Sequence, residues 1–237
     1  ASFRNDVIIR GGSPSENKFY LDGIEVPNIK HFAIQGSSAG PVGLLNINFI
    51  REIDFFASAM PSNYGTGLSS VIAFKQKEGN KEGLTTNLAL GSSDLALTLD
   101  GPLGEKTSFI FSARRSYLQL LFSALKLPFL PTYNDAQFKV DHRINGKNKI
   151  SIIGLGALDK FVLNSGANDG VSDENQRELN TFFLDNIPSQ DQWNYTIGIN
   201  YLHFGEKSNQ RFILSRNMLN NRSQKYADNI EDLANLT

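Results

Sequence analysis

The feature that most constrains this chain is a strict period of two over residues 193–204. Trp193, Tyr195, Ile197, Ile199 and Tyr201 fall on one face, and Asn194, Thr196, Gly198 and Asn200 fall on the other. Such a period belongs to a strand and not to a helix. Aromatic rings flank aliphatic side chains on the apolar face, which is the order a bilayer-crossing strand needs, with small polar residues turned to a wet interior. A soluble sandwich strand with one face in a core gives the same alternation, so this stretch alone leaves both readings open. Leu95, Leu97 and Leu99, and then Phe109, Phe111 and Ala113, repeat the pattern. No apolar run reaches the roughly 18 residues of a spanning helix, which excludes a helical membrane protein and leaves a barrel open.

The connections favour the barrel. Strands are expected near 84–90, 94–100, 107–116, 135–144, 149–161, 191–204 and 210–225. The links at 101–106, 145–148 and 205–210 are tight, whereas 117–134 and 162–190 are long, and the two kinds alternate after the second strand. Short periplasmic turns and long extracellular loops produce that alternation, while structureless loops of such length are uncommon in a compact soluble domain. The link at 91–93 is short where a long one is expected. Seven strands are too few for a large barrel, so the chain reads as cut at both ends, opening in a strand-like segment at Phe3 and closing in polar sequence at Tyr226. With 23 Lys+Arg against 24 Asp+Glu the net charge is -1, and no basic surplus points to nucleic acid. There is no cysteine and there are three histidines, at 31, 142 and 203.

Residues 1 to about 80 read differently. Short apolar strands alternate with glycine-rich turns: 6–10, then Phe19-Tyr20-Leu21 before the hairpin pair Asp22-Gly23, then 50–56 and 70–74 as a second pair, together predicting a small mixed sheet. A Gly/Ser loop covers 35–43, and the polar stretch 75–83 predicts a boundary.

The residues of this first part carry a resemblance. Ile9-Arg10-Gly11, a short variable loop and Leu21-Asp22-Gly23 followed by Val26 resemble one signature of the plug domain of TonB-dependent outer-membrane transporters. Ile50, Ile53, Tyr64-Gly65 and Val71-Ile72 are similar to a second. The usual Lys-Gly is replaced by Ala57-Ser58. Pro27-Asn28 and Leu68-Ser69-Ser70 look like the branch with carboxypeptidase-like N-terminal extensions.

The resemblance implies a mainly β chain: a small mixed α/β plug sheet over 1–80 with its N-terminal part missing, then over 84–237 the antiparallel first strands of a large transmembrane β-barrel, incomplete here. It implies an outer-membrane receptor that captures a substrate and imports it with TonB-derived energy, with the TonB complex, a surface lipoprotein and outer-membrane lipid as partners. A plugged-barrel accessory subunit and a soluble β-sandwich binding module are the alternatives, the last placing Trp193, Tyr195 and Tyr201 in a core.

Candidate interface residues between plug and barrel are Arg10, Gly11, Gly12, Asp22, Gly23, Tyr64, Gly65 and Arg114. Arg10 reads as a strand-end cation met by barrel carboxylates, Asp22-Gly23 as a hairpin turn, and Tyr64-Gly65 as packing against the barrel wall. Of Arg114 and Arg115 one points inward, to meet a plug acid, or binds lipid head groups. The apolar segment 116–126 has helical spacing. In the second long loop, 168–174 has oxygen ligands without the spacing of a calcium loop, so a solvated acidic loop is expected there. The histidines have no second ligand nearby in sequence, and no catalytic motif, metal site or cofactor fingerprint is present.

Overall fold

The computed structural model describes residues 6–33, 40–65 and 67–225. The strand-like opening at Phe3, the tail from Tyr226 and part of the Gly/Ser loop lie outside the described residues. Among the described residues eleven strands form two sheets. The smaller contains β1 (Asn17–Leu21), β2 (Ile24–Glu25), β3 (Ile50–Phe56) and β4 (Ser70–Gln76) in the order β2-β1-β4-β3. β1 runs parallel to β4, and the other two pairings are antiparallel, so the sheet is mixed. Asp22 and Gly23 join β1 to β2 with φ of 49° and 86°, the two left-handed residues that a tight hairpin requires. The stretch 6–10 is not a strand. It is extended coil ending in a turn at Arg10, whose φ of 51° breaks any ladder.

The larger sheet is a purely antiparallel meander in sequence order: β5 (Thr85–Leu90), β6 (Asp94–Gly104), β7 (Thr107–Ser116), β8 (Phe129–Asn145), β9 (Asn148–Leu163), β10 (Ser189–Phe204) and β11 (Asn209–Gln224). Among the described residues β5 and β11 are its edges, so no barrel closes. Both long connections contain helices, α1 (Leu118–Ala124) in the first and α2 (Glu174–Asn186) in the second. α1 lies where the helical spacing was expected. α2 begins at the end of the acidic segment 168–174, which is turn and coil from Asp169 to Asp173; Asp173 caps the helix by accepting from the Asn175 N–H, and Asn180 donates to the Lys126 and Ala167 carbonyls.

One face of the meander packs on the small sheet and the other is open. Ile153, Leu155 and Ala157 of β9 form a core with Leu21, Ile24, Val26 and Leu44. Their neighbours Ile152 and Leu158 point away. On β10 the buried positions are Gln192, Thr196, Gly198 and Asn200, while Trp193, Ile197 and Ile199 are about 40% exposed. This is inverted relative to a soluble sandwich, in which Trp193, Tyr195 and Tyr201 would fill the core, and that expectation is corrected here.

Candidate functional site

The face that β6 to β11 turn toward the small sheet is polar and charged, and its contacts fall into three levels between the tight turns and the long loops. At the turn end Lys139 of β8 reaches Asp22 Oδ2 at 2.9 Å and Asp141 Oδ2 at 3.7 Å. Lys149 of β9 bridges Asp141 at 3.0 Å to Glu78 at 2.6 Å. Donation from Lys149 and then Lys81 lowers the Glu78 pKa to about 2. Lys77 meets Asp100 of β6 at 2.7 Å. The β1–β2 turn and the residues that follow β4 are thus held to three strands of the larger sheet, β6, β8 and β9.

The middle level is neutral. Gln137 of β8 donates to Gln76 Oε1 at 2.8 Å and accepts from the Asn46 N–H at 2.9 Å, and Asn46 donates to Ser112 of β7 at 2.8 Å. The apolar core lies at this level. A Cβ on Gly198 of β10 would stand 2.5 Å from Ile24 Cδ1, so a side chain there would force the Ile24 side chain to shift.

At the loop end the segment after β2 is clamped. His31 is fully buried between two wall carboxylates, Nδ1 at 2.6 Å from Asp159 Oδ1 and Nε2 at 2.9 Å from Asp135 Oδ2. Both ring nitrogens face acceptor oxygens, so only the imidazolium satisfies both contacts. Burial opposes charging it, but donation to Asp135 and Asp159 outweighs burial, and the His31 pKa is raised. Arg114 of β7 completes the charge balance at 3.0 Å from Asp135 and donates to the Gly43 carbonyl at 2.6 Å and the Leu44 carbonyl at 3.2 Å. Asp159 also accepts from the Phe32 N–H at 2.8 Å, at a residue with φ of 55°. Tyr133 packs against His31 with ring centroids 4.4 Å apart and planes tilted by 32°, and its hydroxyl donates to Asp94. Gln192 of β10 donates to the Ala33 carbonyl.

The structure brings some predicted residues to this interface and not others. Arg114 does face inward, but it meets the wall's own Asp135 and carbonyls of the small-sheet segment and not an acid there. Asp22 is more than a turn residue: it pairs with Lys139, accepts from Gln76, and its carbonyl accepts from Asn200 of β10. A Cβ on Gly23 would stand 2.9 Å from Ile213 of β11. Tyr64 packs instead on Tyr20 and Phe56 within the small sheet, and Gly65 lies beside the Tyr20 hydroxyl. The turn holding Arg10, Gly11 and Gly12 folds back on its own sheet through Ser69, which donates to the Ile9 carbonyl, and Arg10 has no ion pair among the described residues. Sequence reasoning missed His31, Asp135, Asp159, Lys139 and Lys149. The signal was there, since all four wall residues occupy inward positions of expected strands.

Solved structures match this arrangement. The siderophore receptor PirA from Pseudomonas aeruginosa superposes with a TM-score of 0.59 at 13% identity over 91% of this chain and 35% of its own. The ferric enterobactin receptor PfeA from the same organism gives 0.61 at 13% identity over 97% and 38%. FpvA of P. aeruginosa, bound to heterologous pyoverdines, gives 0.57 at 15% identity over 96% and 30%. The chain has the plugged-barrel fold of the TonB-dependent receptors. It spans about a third of the length of these receptors. No family model matches the sequence and no curated protein matches it.

In this fold the small sheet is the plug and the meander is part of the wall, so the three levels are plug–wall contacts. No helix among the described residues is long and apolar enough to cross a membrane, which says nothing of the strands.

Proposed function

We propose that residues 1–80 are the plug and residues 84–237 the first strands of the barrel of an outer-membrane receptor that binds a substrate at the cell surface and imports it with TonB-derived energy. The observation that carries this reading is the graded plug–wall interface. Its buried charges and amides hold the plug by directional contacts that can be broken and remade, whereas a permanent core is usually apolar. The long connections bearing α1 and α2 and the plug segment 26–43 face the loop end, where surface substrate would arrive. The named neighbours are siderophore receptors. An identity of 11–15% carries their fold and not their ligands.

Calorimetric titration of the full-length protein with the purified periplasmic domain of TonB tests the reading. Saturable binding that strengthens with cargo is expected. No binding at any concentration would favour the second reading, a plugged-barrel accessory subunit without transport of its own.

A further inference from the structure

At the turn end a cavity of about 220 Å³ lies between the segment that follows β4 and the ends of β7, β8 and β9. Three cations stand abreast on its wall side. The Arg143 N–H donates to the Lys106 carbonyl at 2.8 Å, one pair beyond Thr107 and His142 in the β7–β8 ladder. On its other side Arg143 is directly opposite Lys149 of β9. Their facing follows from the strand period: Ser108 and Asp141, two positions along from Lys106 and Arg143, are buried inward residues, and Lys149 reaches inward to Glu78.

Like charges directly opposite one another on neighbouring strands repel. Lys149 is relieved by Glu78 at 2.6 Å and Asp141 at 3.0 Å. Lys81, on the other side of the cavity, shares Glu78 at 2.9 Å. Those two acids are thereby neutralised, and Glu105 is the remaining acid of the lining. Lys106 and Arg143 make no ion pair among the described residues. Four cations therefore face three acids round the cavity, and the two cations without a partner are cross-strand neighbours. Side chains so paired start about 4.5–5.5 Å apart, so one anion placed between them meets both heads.

We infer that this cavity binds a phosphate group, free or as a small monoester. The planar fork of Arg143 takes two oxygens, while Lys106 and Lys81 supply point charges from opposite sides. A tetrahedral dianion presents oxygens in all of these directions at once, whereas a carboxylate presents two in one plane. The volume leaves room for a small ester group beside the phosphate. Lipid phosphates do not reach the site, because it lies on the inward face of the wall. A bound phosphate ties the segment after β4 to β7 and β8 and so adds to the fastening at the turn end. The site needs only the contact between plug and wall, and it stands apart from the transport reading above.

Calorimetric titration of the full-length protein in detergent, in a buffer free of other oxyanions, tests it with inorganic phosphate and, separately, glycerol 3-phosphate. Saturable binding of one equivalent is expected, and the tighter of the two probes identifies the source. Affinity should fall at least tenfold in Lys106→Gln with Arg143→Gln. It should stay within twofold in Lys147→Gln, an exposed lysine of the next turn that is outside the cavity. Glu105→Gln, which removes the one acid left without a cation, should tighten binding, a gain that misfolding does not produce. Succinate should bind at least tenfold more weakly than phosphate. No saturable binding of either probe, equal affinity in the double variant, or succinate binding as tightly as phosphate would overturn the phosphate site. The receptor reading, tested by TonB binding, would stand in each of those cases.

Discussion

The two ends of the plug–wall interface are both ionic, yet they differ in what can switch them. At the turn end Lys139, Lys149 and Lys77 meet Asp22, Asp141, Glu78 and Asp100. The cations there are all lysines, and donation from Lys149 and Lys81 holds the Glu78 pKa at about 2. At the loop end the charge balance of Asp135 and Asp159 depends on Arg114 and on one imidazolium, His31. Removing a proton there leaves two buried carboxylates facing a single cation, and burial makes the imbalance costly. The plug is thus fastened permanently beside the turns and conditionally beside the loops.

The largest expected effect is at the conditional end. His31→Leu in the full-length protein leaves both carboxylates buried without their shared donor and should cost about 3–5 kcal/mol. Hydrogen exchange would show it as lost protection over 28–33 and 40–46, with the turn end intact. Equal loss at both ends would erase the distinction.

Lys139→Met should cost less, about 2–3 kcal/mol by urea unfolding. Lys149 still neutralises Asp141 there, and Gln76 still donates to Asp22.

Proton dependence sharpens the comparison further. The folded pKa of His31 lies above its ordinary 6.5 because Asp135 and Asp159 outweigh burial. Its stabilisation is therefore fully present below 6.5 and is lost as the pH rises through the raised value. Protection of 28–33, corrected for intrinsic exchange, should fall only as the pH is raised above 6.5, and the pH profile should become flat in His31→Leu. Glu78 behaves oppositely: with a folded pKa of about 2 against 4.5, its contribution is present above 4.5 and lost only as the pH falls toward 2. A turn end that loosens with alkali would contradict the account.

The smallest effect is at Lys75, an exposed partner of Glu52 and Asp54 on β3. Lys75→Ala should change stability by less than about 1 kcal/mol.

Much of the fold was legible in the sequence because a strand's period exposes its two faces. The alternation at Trp193 to Tyr201 and at Leu95 to Leu99 placed β10 and β6 and oriented them. Asp22-Gly23 placed the β1–β2 hairpin, and the apolar spacing of 116–126 placed α1. The stretch 6–10 misled because Val7-Ile8-Ile9 is apolar enough for a strand, but among the described residues no strand pairs with it and Arg10 turns the chain left-handed. α2 was hidden because its sequence is mostly polar and its cap, Asp173, resembles a loop acid. The site was less legible than the fold, since ion pairs across 104 or 128 residues, as for His31 with Asp135 and Asp159, leave no spacing signature. Tyr64 was misplaced for a related reason: an aromatic beside a glycine reads alike whether it packs on the wall or on Tyr20.

The central claim is that the face holding Trp193, Tyr195, Ile197, Ile199 and Tyr201 meets lipid while the alternate face meets the plug. Nitroxide labels placed singly along 193–204 of the full-length protein in lipid vesicles test this by oxygen accessibility. The account predicts a period-two oscillation, high at Trp193, Ile197 and Ile199 and low at Thr196 and Asn200. A flat profile, or labels at the odd positions open to a water-soluble relaxant and closed to oxygen, would contradict it.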